Sequence, residues 1–182
     1  MSDINIRPAV ESDAPIIARC VLAAMEILDI DALVPADMML SVKNLEAATS
    51  DDKRLYSIAN TLVAEVDDEP VGCIISYDGG NYASLRKRTF DILYEESGLD
   101  LRDNPMETGP GEYYLDCMAI RRSYRGRGIG HLLMKAAISR GKGLELIGSL
   151  CWWKRNTLGW ESIMPGLALC RRKKFLLSVQ NM

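Results

Sequence analysis

The sequence predicts a single α/β domain, and three observations carry that expectation. Two apolar runs, Thr61–Val66 and Val71–Tyr77, flank the turn residues Asp67-Asp68-Glu69-Pro70 and read as a hairpin. A third run, Tyr113–Ile120, leads directly into a glycine-rich turn. Beyond that turn, Ile129, Leu132, Leu133, Ala136 and Ala137 recur at i, i+3, i+4, i+7 and i+8, the stripe of an amphipathic helix. With 182 residues the chain is long enough for one hydrophobic core, and no linker or internal repeat divides it.

The remaining elements follow in order. Ile4-Asn5-Ile6-Arg7-Pro8 alternates apolar and polar side chains and reads as a short strand. Glu11-Ser12-Asp13 supplies a helix N-cap, and Pro15 is tolerated in the first turn. Ile17, Cys20, Val21, Ala24 and Leu28 then continue at helical spacing. The segment Ser41–Asn60 is polar but compatible with helix, and offers Leu45, Tyr56 and Ile58 to a core. After the turn cluster Asp78-Gly79-Gly80-Asn81, residues Tyr82–Gly98 read as one helix ended by glycine. Leu99–Gly111, with Pro105, Gly109, Pro110 and Gly111, reads as an ordered loop.

Composition narrows the function classes. The chain is 48% hydrophobic and 26% charged, which excludes a disordered or low-complexity polymer. No apolar run approaches the roughly 18 residues of a membrane span, and Met1-Ser2-Asp3-Ile4 lacks the basic flank and apolar core of a secretory signal. Five cysteines without CxxC spacing read as reduced thiols, hence a cytoplasmic protein. A single histidine, His131, argues against a His-rich site, and no metal is expected. The net charge of −3 argues against a nucleic-acid partner.

The chemistry concentrates in Arg121-Arg122-Ser123-Tyr124-Arg125-Gly126-Arg127-Gly128-Ile129-Gly130, a strand end, a glycine turn and a helix start in succession. Glycines there let consecutive N–H groups face one concavity, and the helix start adds a positive dipole end. Such a nest suits a phosphate or pyrophosphate, and Arg125 and Arg127 add charge beside it. A Walker A loop would need Gly-Lys-Ser/Thr, and a dinucleotide fingerprint G-x-G-x-x-G at a first βα turn; neither is present. A plain helix cap would not require alternating glycines with arginines. RNA contact through the same arginines sits poorly with an acidic chain.

The spacing Arg-x-x-Gly-x-Gly, from Arg125 through Gly128 to Gly130, resembles the acyl-CoA loop of the GNAT acyltransferase superfamily. The upstream Glu112–Ile120 is similar to the family's fourth strand, and Ile6-Arg7-Pro8-Ala9 with Glu11–Ala14 to its opening. Arg122 stands where the family commonly has proline. The resemblance implies a mixed, mostly antiparallel central sheet flanked by helices. It implies acetyl transfer from acetyl-CoA, as co-substrate, to a primary amine of a small molecule or peptide by direct attack. Arg125, Gly126, Arg127, Gly128, Ile129 and Gly130 would then hold the pyrophosphate, and the backbone of Met118, Ala119 and Ile120 the pantetheine arm and thioester. Glu112, Tyr114 and Asp116 alternate and share a face, which makes Glu112 or Asp116 the base; the competing reading leaves both as solvated strand-end carboxylates. Cys117 falls on the opposite face and reads as core. A homodimer is a further expectation of the resemblance.

Two stretches depart from the family. Gly79–Gly111 is long for it, and reads either as an acceptor-side wall or as a structural insertion. After Gly148 the resemblance stops, and Trp152-Trp153 and Arg171-Arg172-Lys173-Lys174 replace the expected closing segments. Regrouping the codons by one base turns Cys151-Trp152-Trp153-Lys154 into leucine, valine and glutamate, and lets later codons spell a tyrosine and a Gly-Phe pair. We read residues 149–182 as the product of a one-base frameshift near Ser149. If that tail is the working polypeptide, weak stability and little turnover are expected. The alternative function is then a catalytically impaired CoA-binding or regulatory protein.

Overall fold

The computed structural model describes residues 3–143. The tail from Ser149, with its frameshift reading, lies outside the described residues. Four antiparallel strands run in the order β1 (Ile4–Pro8), β2 (Thr61–Val66), β3 (Glu69–Asp78) and β4 (Tyr113–Ile120). Four α-helices, α1 (Ala14–Ala24), α2 (Met39–Ala48), α3 (Tyr82–Ser97) and α4 (Ile129–Gly143), flank the sheet. No described helix is long and apolar enough to cross a membrane.

Strand alternation gives each sheet face its own core. On one side Ile17, Cys20 and Val21 of α1 pack on Val63, Cys73, Ile75, Tyr77, Tyr114 and Cys117, with Tyr82, Leu85 and Phe90 of α3 closing the margin. On the other, Ile129, Leu133, Ala137 and Ile138 of α4 cover Leu62, Ala64, Val66, Ile74, Tyr113 and Leu115. Leu45, Tyr56 and Ile58 pack against the first core, as their spacing suggested. The stripe at the start of α4 is buried at Ile129, Leu133 and Ala137.

Two local expectations change. The helical spacing that ran to Leu28 is cut at Ala24, because Glu26 turns to φ 60° and the chain folds back, Ile27 N–H donating to Leu22 O at 3.0 Å. Asp13 stands at the N-cap position of α1 without capping it by its side chain. Its buried carboxylate instead accepts from Val10 N–H at 2.8 Å and from both terminal nitrogens of Arg7 at 2.6 and 3.1 Å. A charged group this deep is tolerated because every lone pair it turns inward finds a donor.

The feature that sets up the site is an irregularity in β4. Ile75 faces Cys117 across the ladder while the next residue, Ser76, faces Leu115. Asp116 is therefore an extra residue on β4, a β-bulge. The bulge resets the alternation, so Tyr114 and Cys117 join the same core. Cys117 is core, as expected, but on the face of Tyr114 and not opposite it.

Candidate active site at the two ends of β4

At its C-terminal end, β4 runs into a cleft of about 520 Å³. Met118, Ala119 and Ile120 form one wall, Ala23 and the segment Glu26–Asp29 after α1 the other, and Arg125 stands at the edge. The turn beyond bends through Gly126 at φ 77° and Gly128 at φ 79°, left-handed values that any side chain with a Cβ adopts at a cost. Among the described residues, the N–H groups of Gly126, Arg127 and Gly128 have no hydrogen-bond partner. The first-turn amides of α4 add to them, because a helix start leaves its leading N–H groups without intrahelical acceptors.

The arginines of the turn are held individually. Arg125 Nε donates to Ile120 O at 2.9 Å, which keeps its guanidinium against the strand end. Arg127 donates to Ser123 O at 3.0 Å and lies over the Tyr124 ring at 5.0 Å. Arg122 ties the turn to the segment after α1, its backbone N–H reaching Asp31 at 2.7 Å and its side chain Asp29 at 3.0 Å. Of the nine residues expected at the cofactor, Met118, Ala119, Ile120 and Arg125 line the cleft, and Gly126, Arg127, Gly128, Ile129 and Gly130 follow in the turn and helix start. Ile129 differs from the rest in that its side chain is buried in the α4 core.

Nearer the start of β4, at its bulge, Asp116 sits half-buried among tyrosines. Tyr77 O–H donates to its Oδ2 at 2.7 Å. Burial, opposed by the Tyr77 hydrogen bond and aided by the nearby charge of Glu107, pushes the Asp116 carboxyl up to about 7. The same burial, with Asp116 and Glu107 as negative neighbours, pushes the phenols of Tyr56 and Tyr82 upward, so these rings stay neutral.

Glu112 is placed elsewhere. Its carboxylate accepts from Thr108 Oγ1 at 2.7 Å and from Gly109 N–H at 3.3 Å, closing the loop that leads into β4. The face shared by Glu112, Tyr114 and Asp116 in a regular strand is thus not what joins Asp116 to Tyr114; the bulge does that. Glu107 takes the second acidic place, accepting from Tyr114 O–H at 2.7 Å. Its sequence signal was faint, an acidic residue in a loop of prolines and glycines.

The inserted stretch is ordered around Arg86 of α3. This buried guanidinium donates to the carbonyls of Leu101, Arg102 and Asn104 and covers the Phe90 ring at 4.8 Å. Leu101 and Thr108 are buried as a result, and Glu107 is carried to the rim of the tyrosine cluster. Among the described residues no group of three His, Cys, Asp or Glu side chains could hold a metal ion.

Comparison with known proteins points the same way. The model of the Acetyltransferase (GNAT) family matches residues 31–157, more than half of the chain. A crystal structure described as an acetyltransferase aligns with a TM-score of 0.62 at 27% identity, covering 78% of this chain and 76% of its own. An N-acetyltransferase from Staphylococcus aureus Mu50 aligns with a TM-score of 0.57 at 26% identity, over 76% of each chain. An aminoglycoside N-acetyltransferase in complex with CoA shares the fold at a TM-score of 0.55 and 13% identity, over 97% of this chain and 95% of its own. No curated protein matches the sequence. Because the family model runs through both the strand and the glycine turn that build the cleft, the chain belongs to the acetyltransferase (GNAT) family.

Proposed function

We propose that the protein is an N-acetyltransferase that moves the acetyl group of acetyl-CoA to a primary amine by direct attack. The observation that carries this reading is the continuity of the cleft with the turn. A cleft along Met118–Ile120 reaches Arg125, and the turn that follows holds the N–H groups of Gly126, Arg127 and Gly128, which have no hydrogen-bond partner among the described residues. That combination suits a long arm ending in a pyrophosphate, and the donor set fits an anion without a metal.

Acetyl-CoA supplies an activated acyl carbon and a thiolate leaving group. The residues of this chain do the rest. Arg125 and Arg127, with Gly126, Gly128, Ile129 and Gly130, bind the pyrophosphate. The backbone of Met118, Ala119 and Ile120 orients the arm, and an amide there polarises the thioester carbonyl. Asp116, two residues from Met118 and so roughly 7 Å along the strand, takes a proton from the incoming ammonium directly or through one water. The C–N bond forms as the C–S bond breaks; of the two protons the ammonium nitrogen gives up, one passes through Asp116 to solvent and the other goes to the departing thiolate, which leaves as the CoA thiol. Glu112 was the other candidate base; its bonds to Thr108 and Gly109 favour a role in holding the loop. The cysteines Cys20, Cys73 and Cys117 are unpaired and buried, which supports a reducing, cytoplasmic setting.

The test is calorimetric titration with acetyl-CoA followed by amine-dependent thiol release. Micromolar binding that Arg125→Ala weakens and Gly128→Asp weakens further, with thiol released only when an amine is added, is the expected result. A folded chain that binds no acetyl-CoA would overturn the reading.

A further inference from the structure

Two carboxylates on the segment after α1 converge on one residue of the turn beyond β4. Asp31 Oδ2 accepts the Arg122 backbone N–H at 2.7 Å. Asp29 Oδ2 accepts from Arg122 Nε at 3.1 Å and from a terminal nitrogen of the same guanidinium at 3.0 Å. Asp29 is also a cleft residue: with Glu26, Ile27 and Leu28 it forms the wall that faces Met118–Ile120. Arg122 therefore ties the turn to the opposite wall, at the edge of the cleft where Arg125 stands.

The segment is shaped for this contact. Its start folds back on α1 at Glu26, with the N–H groups of Ile27 and Leu28 on Leu22 O at 3.0 and 3.3 Å. Its end is held by Arg19, which donates to Ile30 O at 3.2 Å and to Ala32 O at 2.7 Å, and by the buried side chain of Ile30. Between these anchors Asp29 divides its carboxylate. Oδ1 takes the Asp31 N–H at 3.1 Å, and Oδ2 is left to face Arg122.

The backbone at Arg122 makes the residue itself informative. Arg122 opens a single 3-10 turn, and Arg121 before it lies at φ −53°, ψ 140°. That is the extended region proline demands of its predecessor, and proline is also well suited to the first position of a helical turn. Proline would thus fit here, but it offers neither an N–H nor a guanidinium. This chain uses both, and on the same segment. The contacts lie on the surface, where such pairs add little net stability and exchange readily with water. They are suited to govern how fast the cleft opens more than how tightly it binds.

We propose that Arg122, Asp29 and Asp31 form a latch across the mouth of the cleft, and that acetyl-CoA enters and CoA leaves when it opens. An arm lying along Met118–Ile120 with its pyrophosphate at Gly126–Gly128 has to pass this pair. Arg122 and Asp31 are positioning residues, acting on the wall and not on the reacting atoms. The identity of the ligand rests on the acetyl-transfer reading above; the hold on residues 26–32 does not.

The test compares wild type with Asp31→Ala, Arg122→Pro and Arg122→Lys on the full chain, by stopped-flow binding of acetyl-CoA and by hydrogen exchange of residues 26–32 without ligand. Asp31→Ala and Arg122→Pro should each raise the association and dissociation rate constants by about fivefold or more, with Kd within about threefold and the melting temperature unchanged. Exchange of the segment should quicken by a similar factor. Arg122→Lys, which keeps the N–H and a charge, should recover most of the wild-type slowness. A merely structural role would lower the melting temperature without speeding both rates. Binding rates within about twofold of wild type in both variants, or unaltered exchange, overturn the proposal. A folded wild type that binds no acetyl-CoA sinks the acetyl-transfer reading; faster exchange in the variants then still supports the latch, and unaltered exchange overturns it as well.

Discussion

The two ends of β4 solve different chemical problems by different means. Its C-terminal end passes into a turn whose working groups are backbone amides, contributed by residues adjacent in the chain. Its N-terminal half carries a cluster of side chains, in which Tyr77 and Asp116 are 39 residues apart. The turn needs glycine at two positions and otherwise tolerates variety, because every residue owns an N–H. The cluster depends on a one-residue bulge that brings Asp116 to the Tyr77 hydroxyl. On the proposed reading, binding of acetyl-CoA can therefore persist while the side-chain cluster changes. The two regions should fail separately when mutated.

Asp116→Asn offers the largest expected effect. Loss of the base should lower kcat/KM by about 10²- to 10⁴-fold, while the acetyl-CoA Kd moves less than about twofold because the turn is untouched. A matching fall in acetyl-CoA affinity would mean that the two ends are not independent. Wild-type kcat/KM should also rise with pH to a plateau above about 7, as the raised carboxyl loses its proton, and the residual activity of Asp116→Asn should lack that step.

Gly128→Asp attacks the other end. A carboxylate placed in the anion cradle, on a backbone at φ 79°, should weaken acetyl-CoA by roughly 100-fold, from like-charge repulsion together with backbone strain. Arg125→Ala should cost about tenfold, the worth of one charge-assisted contact. Neither should move the pH step that Asp116 sets in kcat/KM, and a shift there would again break the separation.

Stability sharpens the contrast further. The folded chain holds a proton on Asp116 that the unfolded chain releases, so folding weakens as pH climbs from about 4 to 7. Asp116→Asn removes that loss and keeps an acceptor for Tyr77. It should be more stable than wild type at pH 8 by up to about 4 kcal/mol, the equivalent of roughly three pH units, and the gain should shrink toward pH 5 in thermal melts. The smallest effect belongs to Arg122→Ala. Its guanidinium is engaged with Asp29 on the surface, so acetyl-CoA affinity should change by less than about threefold.

Sequence reading reached the elements and stopped at their registers. The hairpin and the strand Tyr113–Ile120 were visible because a buried strand is an apolar run bounded by turn residues. The end of α3 was visible as Gly98, whose N–H bonds Tyr94 O at 2.8 Å. The fold-back after Ala24 was not, because Glu26 carries no marker of a left-handed backbone and Leu28 keeps the helical spacing. Nor was the bulge visible: β4 alone alternates smoothly, and only its pairing with β3 shows that Asp116 is supernumerary. For that reason Glu112 and Asp116 looked equivalent, Cys117 looked opposed to Tyr114, and Glu107 escaped notice.

What the amino-acid sequence settled by itself is the local structure whose parts are neighbours along the chain: the strand, the glycine turn and the helix start of residues 113–143. Local steric and hydrogen-bond preferences are enough to write such a structure into a short stretch. The tyrosine–carboxylate cluster was decided only by tertiary structure. Its rings and carboxylates come from β3, β4, α3 and two loops, and their placement depends on strand register, on the Arg86-ordered loop and on burial. Those are properties of the packed core, and no short stretch of the chain contains them.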